Sequence, residues 1–479
     1  MKYPEIIHHG AGEGVTGSCH ELRVDAGFGL LVDCGLFQGD EAELMARFGE
    51  TASSIDFEVS HLKLLIVTHV HADHIGRIPE LLSAGFKGPI LCSEPSAQLL
   101  PLMLEDSLRV GPGYDEHQIE RCLKQVQQRI IAAPFDAWLG VLDTPTASCR
   151  IRLQRAGHVL GSAYVECDVG YPQAQKNQRI VFSGDLGSSH VPILPEPKSP
   201  EKADLLVLES TYGDRLHEDR ATRQARLEAV IDKALADHGT VLIPAFSIGR
   251  AQELLYEIED ILHRKSLSCA IDEGRDAALP VNWPQLPVLL DSPLAELLTQ
   301  VYRSFDDIWD DEATERLKEG RRPLGFKQLI TIDTHARHLQ TVNYLASTGR
   351  PAIVIAGHGM CAGGRIVNYL KAMLGDSRHN VVFVGYQAKG TPGAAIQKHG
   401  PVGGYVTLDK ERYAIKAGVE SLGGYSAHAD QRELVDFVTG MSDWPSEIRL
   451  VHGQDLAKKK LEQVLQRQYA SRSRQVVIR

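Results

Sequence analysis

The chain reads as a layered α/β protein with a second α/β lobe set into its sequence. Three observations predict this. Short β-type runs recur between Gly-rich turns through the first 210 residues, and several stop abruptly at His, Asp or Glu. From about Tyr212 longer helical patterns alternate with short apolar runs, the signature of βαβ units. Near Lys410 short strands return. A length of 479 residues suits two or three domains. With 43% apolar and 24% charged residues, disordered and collagen-like classes are excluded. The net charge of -11 argues against bulk attraction to nucleic acid or anionic membrane, so a polyanionic substrate needs a local basic site.

Taken in order, strands are expected at 29–33, 62–68, 89–92, 149–155, 179–183 and 204–208, with helices at 77–84 and 96–109. The second lobe should then run helix 219–238, strand 240–244, helix 250–265, strand 287–290, strand 351–355, helix 364–374 and strand 380–384. Gly, Pro, Asn and charge without periodicity predict a surface loop at 266–287. A strand at 447–451 and a helix from Leu456 close the chain. Seven bases against two acids after His452 read as a solvated helix face and tail before they read as an RNA contact. The eight cysteines are scattered without a C-x-x-C pair, which predicts free thiols. With no apolar N-terminal region and no long apolar stretch, a cytoplasmic protein is expected.

The strongest chemical signal is Ile66-Val67-Thr68 leading into His69-Val70-His71-Ala72-Asp73-His74. Four ligand-type side chains stand within six residues at a buried strand's end, where alternate His can serve one metal and the Asp-His pair another. Imidazole and carboxylate donors suit Zn²⁺, and Mn²⁺ or Fe²⁺ fit the same set.

This block resembles the His-x-His-x-Asp-His signature of the metallo-β-lactamase fold. Asp33 in Val32-Asp33-Cys34-Gly35, His158 in Ala156-Gly157-His158, Asp185 in Ser183-Gly184-Asp185 and Glu209 in Glu209-Ser210-Thr211-Tyr212 follow in the family's order. So do His428 in Ser426-Ala427-His428-Ala429-Asp430 and His452 in Val451-His452-Gly453. The set is similar to the β-CASP branch, nucleases that include the RNA 3′-end cleavage endonuclease and compact bacterial relatives. The resemblance implies an αββα sandwich with an inserted Rossmann-like β-CASP domain, divided at 1–210, 211–405 and 406–479. It implies one metal held by His69, His71 and His158, a second held by Asp73, His74 and His452, and Asp185 bridging them. Asp33 would orient a ligand or water, and His428 would be the general acid, hydrogen-bonded to Glu209. The activity implied is zinc-dependent hydrolysis of single-stranded RNA, endonucleolytic or from the 5′ end, by hydroxide generated at two Zn²⁺, leaving 5′-phosphate and 3′-hydroxyl ends.

The segments 243–250, 291–295 and 385–388 match the β-CASP insertion. Gly357-His358-Gly359-Met360-Cys361-Ala362-Gly363-Gly364-Arg365 runs from strand to helix, where backbone N–H groups and Arg365 suit a phosphate. His358 stands where relatives usually carry Ser, and Gly390-Thr391-Pro392-Gly393 lacks the Arg that often follows, with Lys389 as a substitute. Arg250, His358, Arg365 and Lys389 are thus the expected substrate contacts. Glu209 and His452 match the RNA branch, where DNA-repair relatives usually carry Asp and an aliphatic residue. A small-molecule hydrolase of the same fold and a non-catalytic RNA scaffold are the alternatives. The large insertion and the Glu209–His428 pair weigh against the first, the filled ligand positions against the second. No membrane partner is expected, and a homodimer is compatible with the sequence.

Overall fold

Strand-forming runs whose alternate residues are apolar can bury one face against a second sheet, and the first unit is built that way. The computed structural model of the chain describes residues 3–47, 51–111, 113–189, 191–270 and 283–479. These fall into two units. One comprises Met1–Ser189, Pro195–Leu216 and Ala427–Arg479, the other His190–Leu194 and His217–Ser426.

In the first unit a six-stranded sheet runs Glu5–Gly10, Cys19–Arg23, Gly29–Val32, Leu62–Ile66, Ile90–Ser93 and Ile130–Ala133 in spatial order. A seven-stranded sheet runs Val477–Ile478, Glu447–Val451, Leu205–Glu209, Lys176–Phe182, Ala163–Tyr171, Ser148–Arg155 and Leu139–Asp143. Leu30, Val32, Leu64 and Ile66 of the first sheet share a core with Leu153, Val165, Phe182 and Val207 of the second. Residues that alternate with these on the second sheet, such as Val181, Leu206, Leu208 and Leu450, point the other way. They pack on the helices Gln431–Thr439 and Asp455–Ser471 through Leu434, Phe437, Leu461 and Leu465. Every strand expected in this unit forms at nearly its expected bounds. Glu5–Gly10, Cys19–Arg23 and Ala163–Tyr171 were not anticipated. Their His, Glu and Asp residues break the apolar pattern, yet Glu21 and Glu166 are buried because Arg and His side chains pair with them.

The second unit holds a parallel sheet in the order Leu329–Thr331, Val288–Asp291, Ala352–Ala356, Thr240–Pro244, Asn380–Phe383 and Gly418–Ser421. Its last strand lies beyond the expected boundary at 406. Gly418–Ser421 pairs with Asn380–Phe383, so the chain rejoins the first unit only at Ala427. The strand and helix patterns expected at 240–265 and 351–384 are present. The expected loop at 266–287 lies largely outside the described residues. Cys19, Cys34, Cys92, Cys122, Cys149, Cys167 and Cys361 are free and buried. Among the described residues no helix is long and apolar enough to cross a membrane.

Helix Arg250–Ala270 is tied into this unit by a buried ion pair. Arg223 donates to Glu257 Oε1 at 2.7 Å with both side chains almost fully buried, and Tyr425 Oη donates to Glu257 Oε2 at 2.5 Å. Removing one buried partner leaves an uncompensated charge, whereas removing both can be nearly neutral. Glu257→Ala is therefore expected to cost about 3–5 kcal/mol of stability, and Arg223→Met with Glu257→Leu markedly less. Urea unfolding of the two variants measures the difference.

Candidate metal centre

Strand ends deliver the polar residues of the site, because each chain turns out of the sandwich where its apolar alternation stops. Leu62–Ile66 releases Val67 to His74, Lys176–Phe182 releases Ser183 to Asp185, Leu205–Glu209 ends on Glu209, and Glu447–Val451 is followed by His452. Two glycines let these loops close. A Cβ at Gly35 would lie 1.5 Å from the carbonyl oxygen of Asp73, and one at Gly187 would lie 2.1 Å from that of Gly157. Gly187 also forms an antiparallel bridge with His428, which draws the 427–429 segment beside Asp185.

His71 Nδ1 lies 3.0 Å from His69 Nε2 and 3.2 Å from His158 Nε2. Asp185 Oδ2 is 3.4 Å from His69 Nε2 and 3.6 Å from His158 Nε2. Four donors around a metal with bonds of about 2.0–2.1 Å stand about 3.3 Å apart, so these separations fit one ion. The other oxygen of Asp185, Oδ1, is 3.3 Å from His74 Nε2 and 3.5 Å from His452 Nε2. Asp73 Oδ2 completes this second group, 3.9 Å from His452 Nε2 and 4.0 Å from His74 Nε2. His74 Nε2 and Asp185 Oδ1 are buried with no hydrogen-bond partner, as suits atoms whose lone pairs serve a cation.

The surrounding hydrogen bonds aim these donors. Asp33, with a left-handed φ of 62°, accepts from Thr68 N and Thr68 Oγ1 at 2.8 Å each and from His74 Nδ1 at 2.7 Å. Because Thr68 Oγ1 spends its proton on Asp33, its lone pair can accept from His69 Nδ1 at 3.1 Å. His158 Nδ1 donates to the carbonyl oxygen of Ala427 at 3.1 Å. In each case the second ring nitrogen is left with a lone pair that could face a metal, the arrangement usual around ligating imidazoles. Sequence reading identified Asp33 but missed Thr68, whose only signal was a polar β-branched residue at the end of an apolar strand.

Electrostatics agree with this division. Burial, with the neighbouring imidazoles, pushes His69 and His158 well below the ordinary histidine range and His71 to about 4, so these rings stay neutral. Burial opposes charge on His74 too, but the carboxylates of Asp185 and Asp33 outweigh it and raise this ring well above that range. Burial opposes charge on Asp185, yet His452 and His74 hold it well below the carboxylate range.

His428 Nδ1 lies 3.2 Å from both oxygens of Glu209, and its Nε2 lies 3.9 Å from Asp185 Oδ2. Burial works against its positive charge, yet Glu209 and Asp185 hold it at about 9. Glu209 is itself fixed by Leu186 N at 2.7 Å. The residues expected in the second unit divide differently. Arg365 Nη1 is committed to Asp291 Oδ1 at 2.7 Å and to the carbonyl of Ile332 at 2.8 Å, and Nη2 to that of Asp333 at 3.2 Å. Arg250 Nη1 pairs with Glu253 Oε2 at 2.6 Å. His358 and Lys389 are exposed.

Comparison with known proteins bears on this geometry. Residues 12–241 match the family model of the metallo-β-lactamase superfamily, 251–396 that of the Beta-Casp domain, and 412–474 that of the Zn-dependent metallo-hydrolase RNA specificity domain. Ribonuclease TTHA0252 of Thermus thermophilus is 34% identical over 454 residues, covering 94% of this chain and 93% of its own. The chain belongs to the β-CASP branch of the metallo-β-lactamase superfamily. Two archaeal transcription termination factors FttA are also similar. That of Methanocaldococcus jannaschii is 27% identical over 89% of this chain, and that of Pyrococcus abyssi 29% identical over 88%. This chain spans 63% and 64% of their lengths. The metallo-β-lactamase superfamily is metal-dependent, and among the described residues the His and Asp clusters above could hold a metal ion.

Replacing Asp33 with Ala removes the acceptor that fixes the His74 ring. Metal affinity is expected to fall about 10–100-fold, read by competition with a chromophoric chelator.

Proposed function

We propose that this β-CASP protein is a ribonuclease that uses two Zn²⁺ to hydrolyse phosphodiester bonds of single-stranded RNA. One ion is held by His69, His71 and His158, the other by Asp73, His74 and His452, with Asp185 between them. The observation that carries the reading is the division of Asp185, whose two oxygens each face a separate set of imidazoles. The mostly imidazole donor set favours zinc. RNA as substrate is supported by the match of 412–474 to an RNA specificity domain and by the ribonuclease from Thermus.

When bound, the metals would lower the pKa of a water and offset the charge of an in-line displacement at phosphorus. The chain supplies the rest. Asp33 and Thr68 fix the orientation of His74 and His69, so the donors need not reorganise during the reaction. Asp73 is the most accessible carboxylate of the site, its side chain 22% exposed. Cleavage must also neutralise a poor alkoxide leaving group. Glu209 accepts from His428 Nδ1, so the proton on Nε2 is the one available for that oxygen. Protonating the 3′ oxygen leaves a 3′-hydroxyl and a 5′-phosphate. His358 and Lys389, exposed in the second unit, are the side chains proposed to meet the strand's phosphates. Arg365 and Arg250 act through the protein, holding Asp291 and Glu253.

Asp73→Ala and His452→Ala should each lose about one of two metals per chain, measured by elemental analysis of purified protein. A metal-free wild type that still cleaves RNA would falsify the reading. His428→Ala should keep both metals and bind RNA while losing about 10²-fold or more of the cleavage rate. Loss of metal instead would make His428 a ligand, since its ring also lies in reach of Asp185 and His452. End-labelled single-stranded RNA should be cleaved faster than the same sequence as duplex or as DNA. Equal turnover of single-stranded DNA would remove the RNA assignment.

A further inference from the structure

The rings that face the metals do not all have a partner behind them. His74 has Asp33, His69 has Thr68, and His158 has the Ala427 carbonyl. His452 differs. If its Nε2 ligates a metal, a neutral ring carries its proton on Nδ1, and that atom is buried with no hydrogen-bond partner. An orphaned buried donor costs roughly 1–3 kcal/mol, so something should accept from it.

His452 lines a small cavity with Ser18, His20, Asp33, His74, Ser183 and Asp185 as its other polar walls. Most of these are already spent. Both oxygens of Asp33 are taken by Thr68 and His74. Ser183 Oγ donates to the Gly184 carbonyl and accepts from Glu209 N. His74 and Asp185 are ligands. Ser18 Oγ, bonded only to His20, remains. Ser18 Oγ lies 3.3 Å from His20 Nε2, and His20 Nδ1 lies 2.9 Å from His8 Nδ1. Both Ser18 and His20 are nearly fully buried, and His20 stacks on Phe182 at the top of the apolar core. A buried imidazole in that place needs a function, because apolar residues would fill it at lower cost. The cavity has room for about one water, which can bridge two polar groups not in direct contact.

We propose that Ser18, held by His20 with His8 behind it, is the outer support of the second metal group, its Oγ accepting from His452 Nδ1 through one water in this cavity. Ser18 is a positioning residue on two counts, since its backbone N also donates to the carbonyl of Asp73 at 2.8 Å. The proposal rests on the two-metal reading above and deepens it.

The test is a metal titration of the full chain, stripped by chelator and reloaded with Zn²⁺ against a competing chromophoric chelator. Wild type should bind two ions; one ion only would overturn the two-metal reading itself, before any variant is made. His20→Leu and Ser18→Ala should each weaken one of the two sites about 10–100-fold and leave the other unchanged. His20→Gln, whose side-chain amide can still hold Ser18 Oγ, should restore most of the loss. Thermal unfolding of the metal-free forms separates this from a packing defect, which would lower Tm without touching either affinity. Wild-type affinity at both sites, or an equal loss at both, would overturn the proposal. If His20→Leu does not fold, Ser18→Ala decides it alone.

Discussion

The site depends on one buried carboxylate. Asp185 is 3% exposed, and taking an ionised group out of water is tolerable only where opposite charge or strong donors replace the lost solvent. Four imidazoles meet it within 3.3–3.6 Å, two on each oxygen. This division lets two groups of ligands occupy one small volume without merging. Burial and the neighbouring imidazoles keep His69, His71 and His158 neutral although Asp185 is beside them, whereas His74, with Asp33 as well as Asp185 against it, is raised well above the ordinary range despite its burial.

The sandwich makes that placement possible. Apolar alternation on both sheets carries the chain to the same end of the core, and each strand surrenders its polar residue there. The loops then have to pass within backbone contact of one another, which Gly35 and Gly187 allow. Asp33 and His452 both adopt left-handed backbone conformations, with φ of 62° and 51°. For residues with a Cβ such conformations carry strain, which persists where the surrounding bonds determine them. Here Asp33 is fixed through Thr68 and His74, and the backbone N of His452 donates to the carbonyl of Ala11 at 2.9 Å.

In the second unit, charge is used mainly for construction. Asp291, fully buried, gathers His338, Tyr369 and Arg365 at 2.6–2.7 Å, and Asn368 Nδ2 reaches the far nitrogen of His338 at 2.9 Å. This network fixes the start of the helix Arg365–Met373 and the loop before it. The Arg365 guanidinium is spent on holding that loop.

The sequence by itself showed the α/β alternation, most of the strands and helices, and the type of chemistry that the His69–His74 block can carry. Periodicity is local, and the six residues from His69 to His74 carry their ligand character wherever the strand places them. The resemblance added His158, Asp185, His428 and His452, which are isolated in sequence. Only the tertiary structure decided which polar residues support others. Thr68 stands behind Asp33 and His69, and Ser18 with His20 lines the cavity beside His452. Arg365 faces Asp291, 74 residues away in the chain. Likewise Gly418–Ser421 extends the parallel sheet although its local pattern matches the short strands of the first unit. Hydrogen bonds and strand pairing join residues distant in sequence, so the identity of one partner does not disclose the other until the chain has folded.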